Sequence, residues 1–305
     1  GASGFLGGSL VQMLCQQGNM VVGLVRSDNA AMRVKTLGGK PVRGDLEQPM
    51  MLYEAMQGCD VVFHTAATLG FGHNSMAQRR INVDGTRYLL EAAHKAGIRR
   101  FVTISAASVI ADGKPVLNAD ESRSFPARFV GPYSRTKAEA ERLVLMANST
   151  EMATMAIRPP GIWGVGDANI LPQIVHMVQH RQFIWFDHGR YPYTTCHVTN
   201  VCEGAILAAE RGQGGQAYFV TDGPPLLFRE FVLGLLKTQG LTVGERSIPW
   251  RLALSIGDIT EKVWQLMRRP GTPALSRETV ALIGPFAVND SKARHELGYQ
   301  GLTTR

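Results

Sequence analysis

Tyr133 and Lys137, in the run YSRTK, stand four residues apart, so on a helix they share one face. An ammonium beside a phenol favours the phenolate and draws the tyrosine pKa down from about 10. That suits a tyrosine to general acid–base work near neutral pH. Of the seven tyrosines, only Tyr133 has a lysine four positions later. A second cluster opens the chain. GASGFLG repeats glycine at Gly1, Gly4 and Gly7, then runs into an apolar helical pattern through Leu10, Val11, Leu14 and Cys15 that Gly18 closes. A glycine turn feeding a helix start lets bare backbone amides approach a phosphate.

The strand that follows ends in GLVRS. In dinucleotide-binding folds an acidic residue at this place holds the ribose hydroxyls, whereas an arginine accommodates a 2′-phosphate. Arg26 occupies it, which favours NADP(H). Asp28, two residues on, keeps NAD(H) open.

These residues need a scaffold, and the chain spells one out. MVVGLVRS, KPVRGDL, DVVFHTAA, RRFVTISAAS and EMATMAIRPP read as strands. Helical patterns lie between them, ending with the long GPYSRTKAEAERLVLMAN. Such alternation predicts an α/β fold, a doubly wound parallel sheet covered on both faces. From about Gly161 the rhythm becomes mixed, with helices expected at Asn169–His180, Asn200–Glu210 and Phe228–Gln239. The reading is a dinucleotide-binding domain over 1–160 and a smaller mixed α+β substrate lobe over 161–305, with some segments returning to the sheet.

Composition narrows the function. Of 305 residues, 45% are hydrophobic, and 32 Lys+Arg against 25 Asp+Glu give +7. The basic residues are dispersed, which argues against nucleic acid and leaves local patches for an anionic cofactor. The four cysteines lack CxxC spacing, so no metal is expected, and reduced thiols suit the cytoplasm. No uncharged apolar run reaches the roughly 18 residues of a membrane-spanning helix. RLALSIGDITEKVWQLMRRP places Leu252, Ile256, Ile259, Val263 and Leu266 on one helix face. The expectation is packing on the second lobe; a lid or a membrane-touching helix is the alternative.

Taken in order, these motifs resemble the extended short-chain dehydrogenase/reductase family, from Gly1 to about Tyr299. Its fold is a Rossmann-type sheet. The resemblance puts Gly1, Gly4, Phe5, Leu6 and Gly7 in the cofactor turn. It puts Asp45 and Leu46 of GDL near the adenine, and Thr65, Ala66 and Ala67 of HTAA along the cofactor. NVDGT at Asn82–Thr86 is similar to the helix-four motif, and YSRTK to the active-site Tyr-x-x-x-Lys. RPPGIWGVGD and HVTNVCEGAILAAE match substrate-lobe segments. YFVTDGPPLLFREF and NDSKARHELGY resemble the 3β-hydroxysteroid dehydrogenase/isomerase group and the related 2-alkyl-3-oxoalkanoate reductases.

One departure stands out. In TISAAS, Ala106 falls where the family carries its catalytic hydroxyl. Ser105 is the favoured replacement and Ser108 the alternate, with a backbone N–H or a water as the remaining option. The resemblance also implies a strand ahead of Gly1, so the chain reads as a fragment.

The resemblance implies hydride transfer between a nicotinamide and a carbonyl or secondary alcohol. Tyr133 is then the acid–base, Lys137 holds the nicotinamide ribose and lowers the Tyr133 pKa, and a serine polarises the substrate oxygen. Residues 161–200 and 240–285 should line the pocket, among them Ile162, Trp163, Phe183, Trp185, Phe186, Trp250 and Trp264. They suit an apolar substrate, of sterol or β-keto/β-hydroxy acid type. The alternatives are a nucleotide-sugar epimerase/dehydratase and, because of Ala106, a cofactor-binding regulator without turnover. Relatives dimerise through the helices of the Asn82 and Tyr133 motifs, which implies a homodimer.

Overall fold

The computed structural model describes residues 1–68, 75–269, 273 and 275–305. Short strands form a parallel sheet in two pieces, the larger mostly buried and the smaller partly exposed. Strands β1 (Val22–Val25) and β2 (Lys40–Arg43) pair in parallel. Strands β3 (Val61–His64), β4 (Arg100–Ile104), β6 (Ala153–Arg158) and β11 (Gln216–Phe219) form the larger parallel piece, in the order β11-β6-β4-β3. Gly1 and Ala2 sit between the pieces. A Cβ on Gly23 of β1 would lie 3.1 Å from Ala2 Cβ, and one on Gly1 would lie 2.3 Å from Thr65 Oγ1, just past β3.

Helices cover both faces, as the β–α alternation requires. On one side α3 (Pro49–Ala55), α5 (Gly85–Lys95) and α6 (Pro132–Met146) pack Leu52, Leu90 and Val144 around Phe101. On the other, α1 (Phe5–Gln16) meets α8 (Val198–Arg211) through Leu10, Cys202 and Ile206, while Val201 and Ala205 pack on Met155 and Ile157. The expected doubly wound sheet is therefore present. Cys15 is only half-buried, and all four cysteines are unpaired.

NVDGTRYLLEAAHKAG does not form one regular α-helix. Instead α4 (Ser75–Arg79) passes through a π-turn at Arg80–Asp84 before α5 begins. The wider turn sits where the Asn82 side chain bonds both Thr68 and Thr136.

A second apolar cluster gathers Phe219, Phe228, Phe231, Val232, Leu236 and Val280 of the later segments. Trp185, Phe186 and Trp250, expected to line a pocket, are buried in this cluster. The Trp185 indole donates to Gly244 O at 2.9 Å and the Trp250 indole to Val280 O at 3.0 Å, so both rings are fixed as core. The helix α10 (Trp250–Leu266) turns Trp250, Ala253, Leu254 and Gly257 inward. The stripe expected to pack on the lobe faces outward instead, with Leu252, Ile259, Val263 and Leu266 exposed. The buried face wins because Gly257 lets the helix close on the backbone of Ser276 and Arg277; a Cβ there would approach Arg277 N to 2.8 Å.

Candidate active site

The glycine turn is shaped by steric exclusion. A Cβ on Gly7 would fall 2.0 Å from Gly1 O, so the first turn of α1 closes directly on the chain start. Gly4 is the N-cap of α1 and offers no side chain to its amides, which leaves the N–H groups of Phe5, Leu6 and Gly7 free to meet an anion. Bare backbone, uncapped amides and a helix N-terminus fit the pyrophosphate of a dinucleotide.

Two further contacts frame this cradle. Leu46 lies against Gly85, where a Cβ would come within 2.9 Å of Leu46 Cδ1. Asn82 clamps the segment after β3: Thr68 N–H donates to Asn82 Oδ1 at 2.9 Å, and Asn82 Nδ2 donates to Thr68 O at 3.2 Å. The same amide donates to Thr136 Oγ1 at 3.1 Å, tying this segment to α6. His64, at the end of β3, is buried and pushed down to about pKa 3, first by desolvation and then by Lys137. Thr86 Oγ1 donates to Asn82 O at 2.6 Å, so it must accept from His64 Nε2 at 2.9 Å. His64 is therefore a neutral Nε2–H tautomer.

At the end of β1, the Arg26 side chain is 76% exposed and stands 3.7 Å from Asp45. Arg43 donates to Arg26 O at 2.7 Å and also pairs with Asp28. Asp28 is thus engaged by Arg43, while Arg26 pairs with Asp45 and keeps most of its side chain exposed at this edge. Ser27 caps the helix α2 (Asp28–Thr36) by accepting from Ala30 N–H.

Tyr133 and Lys137 lie on α6, whose first residue is Pro132 and whose N-cap is Gly131. The cap comes from a distant residue. Glu278, at the start of α11 (Arg277–Leu282), accepts from Tyr133 N–H at 3.2 Å, Ser134 N–H at 2.6 Å and Ser134 Oγ at 2.7 Å. Gly131 makes room for it, since a Cβ there would lie 2.4 Å from Glu278 Oε2.

Lys137 is buried and its Nζ donates to Ile104 O, the last carbonyl of β4, at 2.6 Å. Desolvation lowers it to about pKa 8, against an opposing pull from Glu141 one turn later. Tyr133 behaves differently from the sequence expectation. Burial, and secondarily Glu278, push its phenol above the ordinary value, because the Lys137 ammonium is directed to Ile104 O. Among the described residues nothing hydrogen-bonds the Tyr133 hydroxyl.

The two candidate serines part company. Ser105 Oγ donates to Glu141 Oε2 at 2.5 Å, and Glu141 is held by Arg158 through Nη2 at 2.6 Å and Nε at 3.0 Å. Ser105 thus belongs to a buried Ser–Glu–Arg network beneath the site. Ser108, in a 3₁₀ turn at Ala107–Ile110 that packs on α6, has a buried Oγ with no partner among the described residues. Sequence reading missed Glu278, Glu141 and Arg158. Glu141 alone left a signal, as the residue four beyond Lys137 on the same face. Among the described residues no group of three or more His, Cys, Asp or Glu could hold a metal.

Comparison with known proteins places this geometry. The model of the 3-beta hydroxysteroid dehydrogenase/isomerase family matches residues 1–253. A 4-hydroxy-2-methyl-3-oxo-4-farnesyl-3,4-dihydroquinoline-1-oxide ketoreductase of Stigmatella aurantiaca is 45% identical, over 100% of this chain and 91% of its own. A 2-alkyl-3-oxoalkanoate reductase of Stenotrophomonas maltophilia is 34% identical, over 98% of this chain and 92% of its own. A 3-beta-hydroxysteroid dehydrogenase of Mycolicibacterium neoaurum is 33% identical, over 100% and 86%. Among solved structures, a dTDP-glucose 4,6-dehydratase double mutant of Streptomyces venezuelae with NAD bound has a TM-score of 0.75 at 20% identity, covering 99% of this chain and 91% of that one. The UDP-glucose 4-epimerase of Thermotoga maritima also scores 0.75, at 16% identity, covering 100% and 93%; at such identities the likeness shows the fold. With a dinucleotide cradle, a Tyr-x-x-x-Lys helix and this kinship together, the chain belongs to the 3-beta hydroxysteroid dehydrogenase/isomerase family, within the extended short-chain dehydrogenase/reductases, and is a nicotinamide-dependent oxidoreductase.

Proposed function

We propose that this protein is an NADPH-dependent ketoreductase acting on a lipophilic substrate with its ketone beside a second carbonyl or a ring. The observation that carries the reading is a pair of uncommitted hydroxyls, Tyr133 on α6 and Ser108 on the 3₁₀ turn that packs against α6, with Lys137 buried one turn beyond Tyr133. Kinship with the 45%-identical ketoreductase of a farnesylated dihydroquinoline oxide supports the substrate class. Two arginines of the lobe are already engaged, Arg229 with Glu245 and Arg277 with Asp258.

A bound nicotinamide supplies the hydride. Tyr133 donates its proton to the carbonyl oxygen as the alkoxide develops, and Ser108 hydrogen-bonds the same oxygen. Lys137 binds the ribose and keeps positive charge near the phenol. Gly1, Gly4, Phe5, Leu6 and Gly7 hold the pyrophosphate. Asp45 and Leu46 flank the adenine, and Thr65, Ala66 and Ala67 line the cofactor. Arg26, with Arg43 beside it, takes the 2′-phosphate. Residues 1–160 serve the cofactor and 161–305 mainly the substrate. The four free cysteines support a cytoplasmic setting. A homodimer through the outer faces of α5 and α6 completes the reading, by resemblance.

The test is cofactor oxidation with a 2-alkyl-3-oxo acid, a farnesylated 3-oxo-quinoline oxide and UDP-glucose, each with NADPH and NADH. Expected are turnover of the lipophilic ketones, a preference for NADPH, and a loss of about 10²–10⁴ in kcat for Tyr133→Phe with cofactor affinity kept. Turnover confined to UDP-glucose, or an unimpaired Tyr133→Phe, overturns it.

A further inference from the structure

Gln78, on α4, carries a carboxamide that the fold buries and leaves unmet. The residue is 0% exposed, and among the described residues neither its Nε2 nor its Oε1 has a hydrogen-bond partner. Asn82, one turn on, shows the contrast: its amide meets Thr68 N–H, Thr68 O and Thr136 Oγ1. An amide taken out of water with both ends unmet is costly, and it is relieved when a ligand supplies the missing partners.

Gln78 stands at the catalytic end of the sheet. Strands β3, β4 and β6 are parallel, so the crossover helices α5 and α6 run in one direction. Both start at the strands' C-terminal edge, where ligands lie in open α/β sheets. Helix α4 leads into α5 and packs on α6. Asn82 bonds Thr136, whose hydroxyl donates to Tyr133 O at 3.0 Å. One turn ahead of Asn82, Gln78 is at the level where α6 begins with Pro132 and Tyr133.

Three polar groups at this end are thus enclosed and uncommitted: the hydroxyls of Tyr133 and Ser108 and the Gln78 amide. The two hydroxyls serve the reacting oxygen in the reading above. A carboxamide exchanges no proton near neutral pH, so it is unsuited to that work. It donates through Nε2 and accepts through Oε1, which matches a carbonyl and its enol respectively.

We propose that Gln78 is a specificity residue that reads the second oxygen of the substrate, with Nε2 donating to the carbonyl beside the reacting ketone or Oε1 accepting from its enol hydroxyl. The substrate class is then a 1,3-dicarbonyl compound. The proposal deepens the ketoreductase reading, by choosing the second carbonyl over the ring, and rests on it.

The test compares two ketones of equal chain length, a 2-alkyl-3-oxo ester and the same ketone without the ester group, each with NADPH. The wild type should favour the ester about tenfold or more in kcat/KM, since a buried polar group rejects the analogue that leaves it unpaired. Gln78→Met keeps an unbranched side chain of similar length and removes both polar atoms. It should cut that preference about tenfold and melt at or above the wild-type temperature. The ester's own reactivity is common to both proteins and cancels in the comparison. NADPH affinity, read by fluorescence titration, should be unchanged. A preference undiminished in Gln78→Met, or weaker NADPH binding in that variant, overturns the proposal. So does a variant that fails to fold or melts well below wild type, because the amide is then paired within the fold. If the wild type reduces both ketones alike, only the Gln78 assignment falls; if it reduces neither, the ketoreductase reading falls and the assignment with it.

Discussion

Glu278 holds the backbone of Tyr133 in place: its carboxylate accepts the Tyr133 amide at 3.2 Å and doubly engages Ser134 at 2.6 and 2.7 Å. It caps the helix that carries the phenol and lends negative charge to the positive helix end. Glu278→Ala strips three donors of their acceptor and should cost about 1–3 kcal/mol in stability. It should also lower kcat through loss of phenol placement. Glu278→Gln keeps an acceptor and removes the charge. Its melting temperature should stay nearer wild type, while the Tyr133 pKa falls, because the carboxylate now raises it. Thermal melts and the pH profile of kcat/KM separate the two effects. An upward shift of the tyrosine's pKa in the Gln variant would contradict the assignment.

Ser105 and Ser108 should fail in different ways. Ser108→Ala removes a donor aimed at developing charge and should lower kcat by about 10²-fold, with the melt unchanged. Ser105→Ala leaves Glu141 short of one donor, so its loss should be mainly in stability, about 1.5–3 kcal/mol for a bond to a charged group. Equal kinetic defects in both, or a defect in Ser105→Ala alone, would return the role to Ser105.

Lys137 sets a ceiling on the working pH. Burial lowers it to about 8, so the positive charge on which the proposed ribose contact depends is present below pH 8 and lost above it. Since kcat/KM reports the free enzyme, its alkaline limb should fall near pH 8. Glu141 pulls the other way and raises the lysine pKa. Glu141→Gln should therefore shift that limb to lower pH, which a rate profile from pH 6 to pH 9 reads directly. A limb that moves upward in the Gln variant sinks this account of the lysine.

Gly7→Ala should remove cofactor binding without touching the chemistry. Gly7→Ala would bring a methyl within 2.0 Å of Gly1 O, so the turn must open. Nucleotide affinity should fall by at least tenfold, as read by fluorescence titration. Tight nucleotide binding by Gly7→Ala would show that the cradle lies elsewhere.

Local patterns were legible in the sequence, and partners across the fold were not. Glycine spacing, β–α alternation and the Tyr133–Lys137 interval are properties of neighbouring residues, and the sheet and active-site helix follow from them. Ser105 against Ser108 could not be settled, because a serine at a strand end turns toward whichever partner the packing supplies, here Glu141. Trp185 and Trp250 suggested a pocket wall, yet each indole found a backbone carbonyl inside the core. The stripe on α10 was read correctly as one face, but the helix has a second apolar face that Gly257 seats closely. The Glu278 cap left no trace, since glutamate opposite a glycine N-cap has no spacing rule.

The anchor of the active-site helix lies 145 positions downstream of the tyrosine it fixes. During synthesis the nucleotide cradle and the phenol both emerge long before that carboxylate does. Closing so long a loop is slow relative to forming the local βα units. The seating of the Tyr133 helix on Glu278 is therefore among the last contacts the folding chain makes.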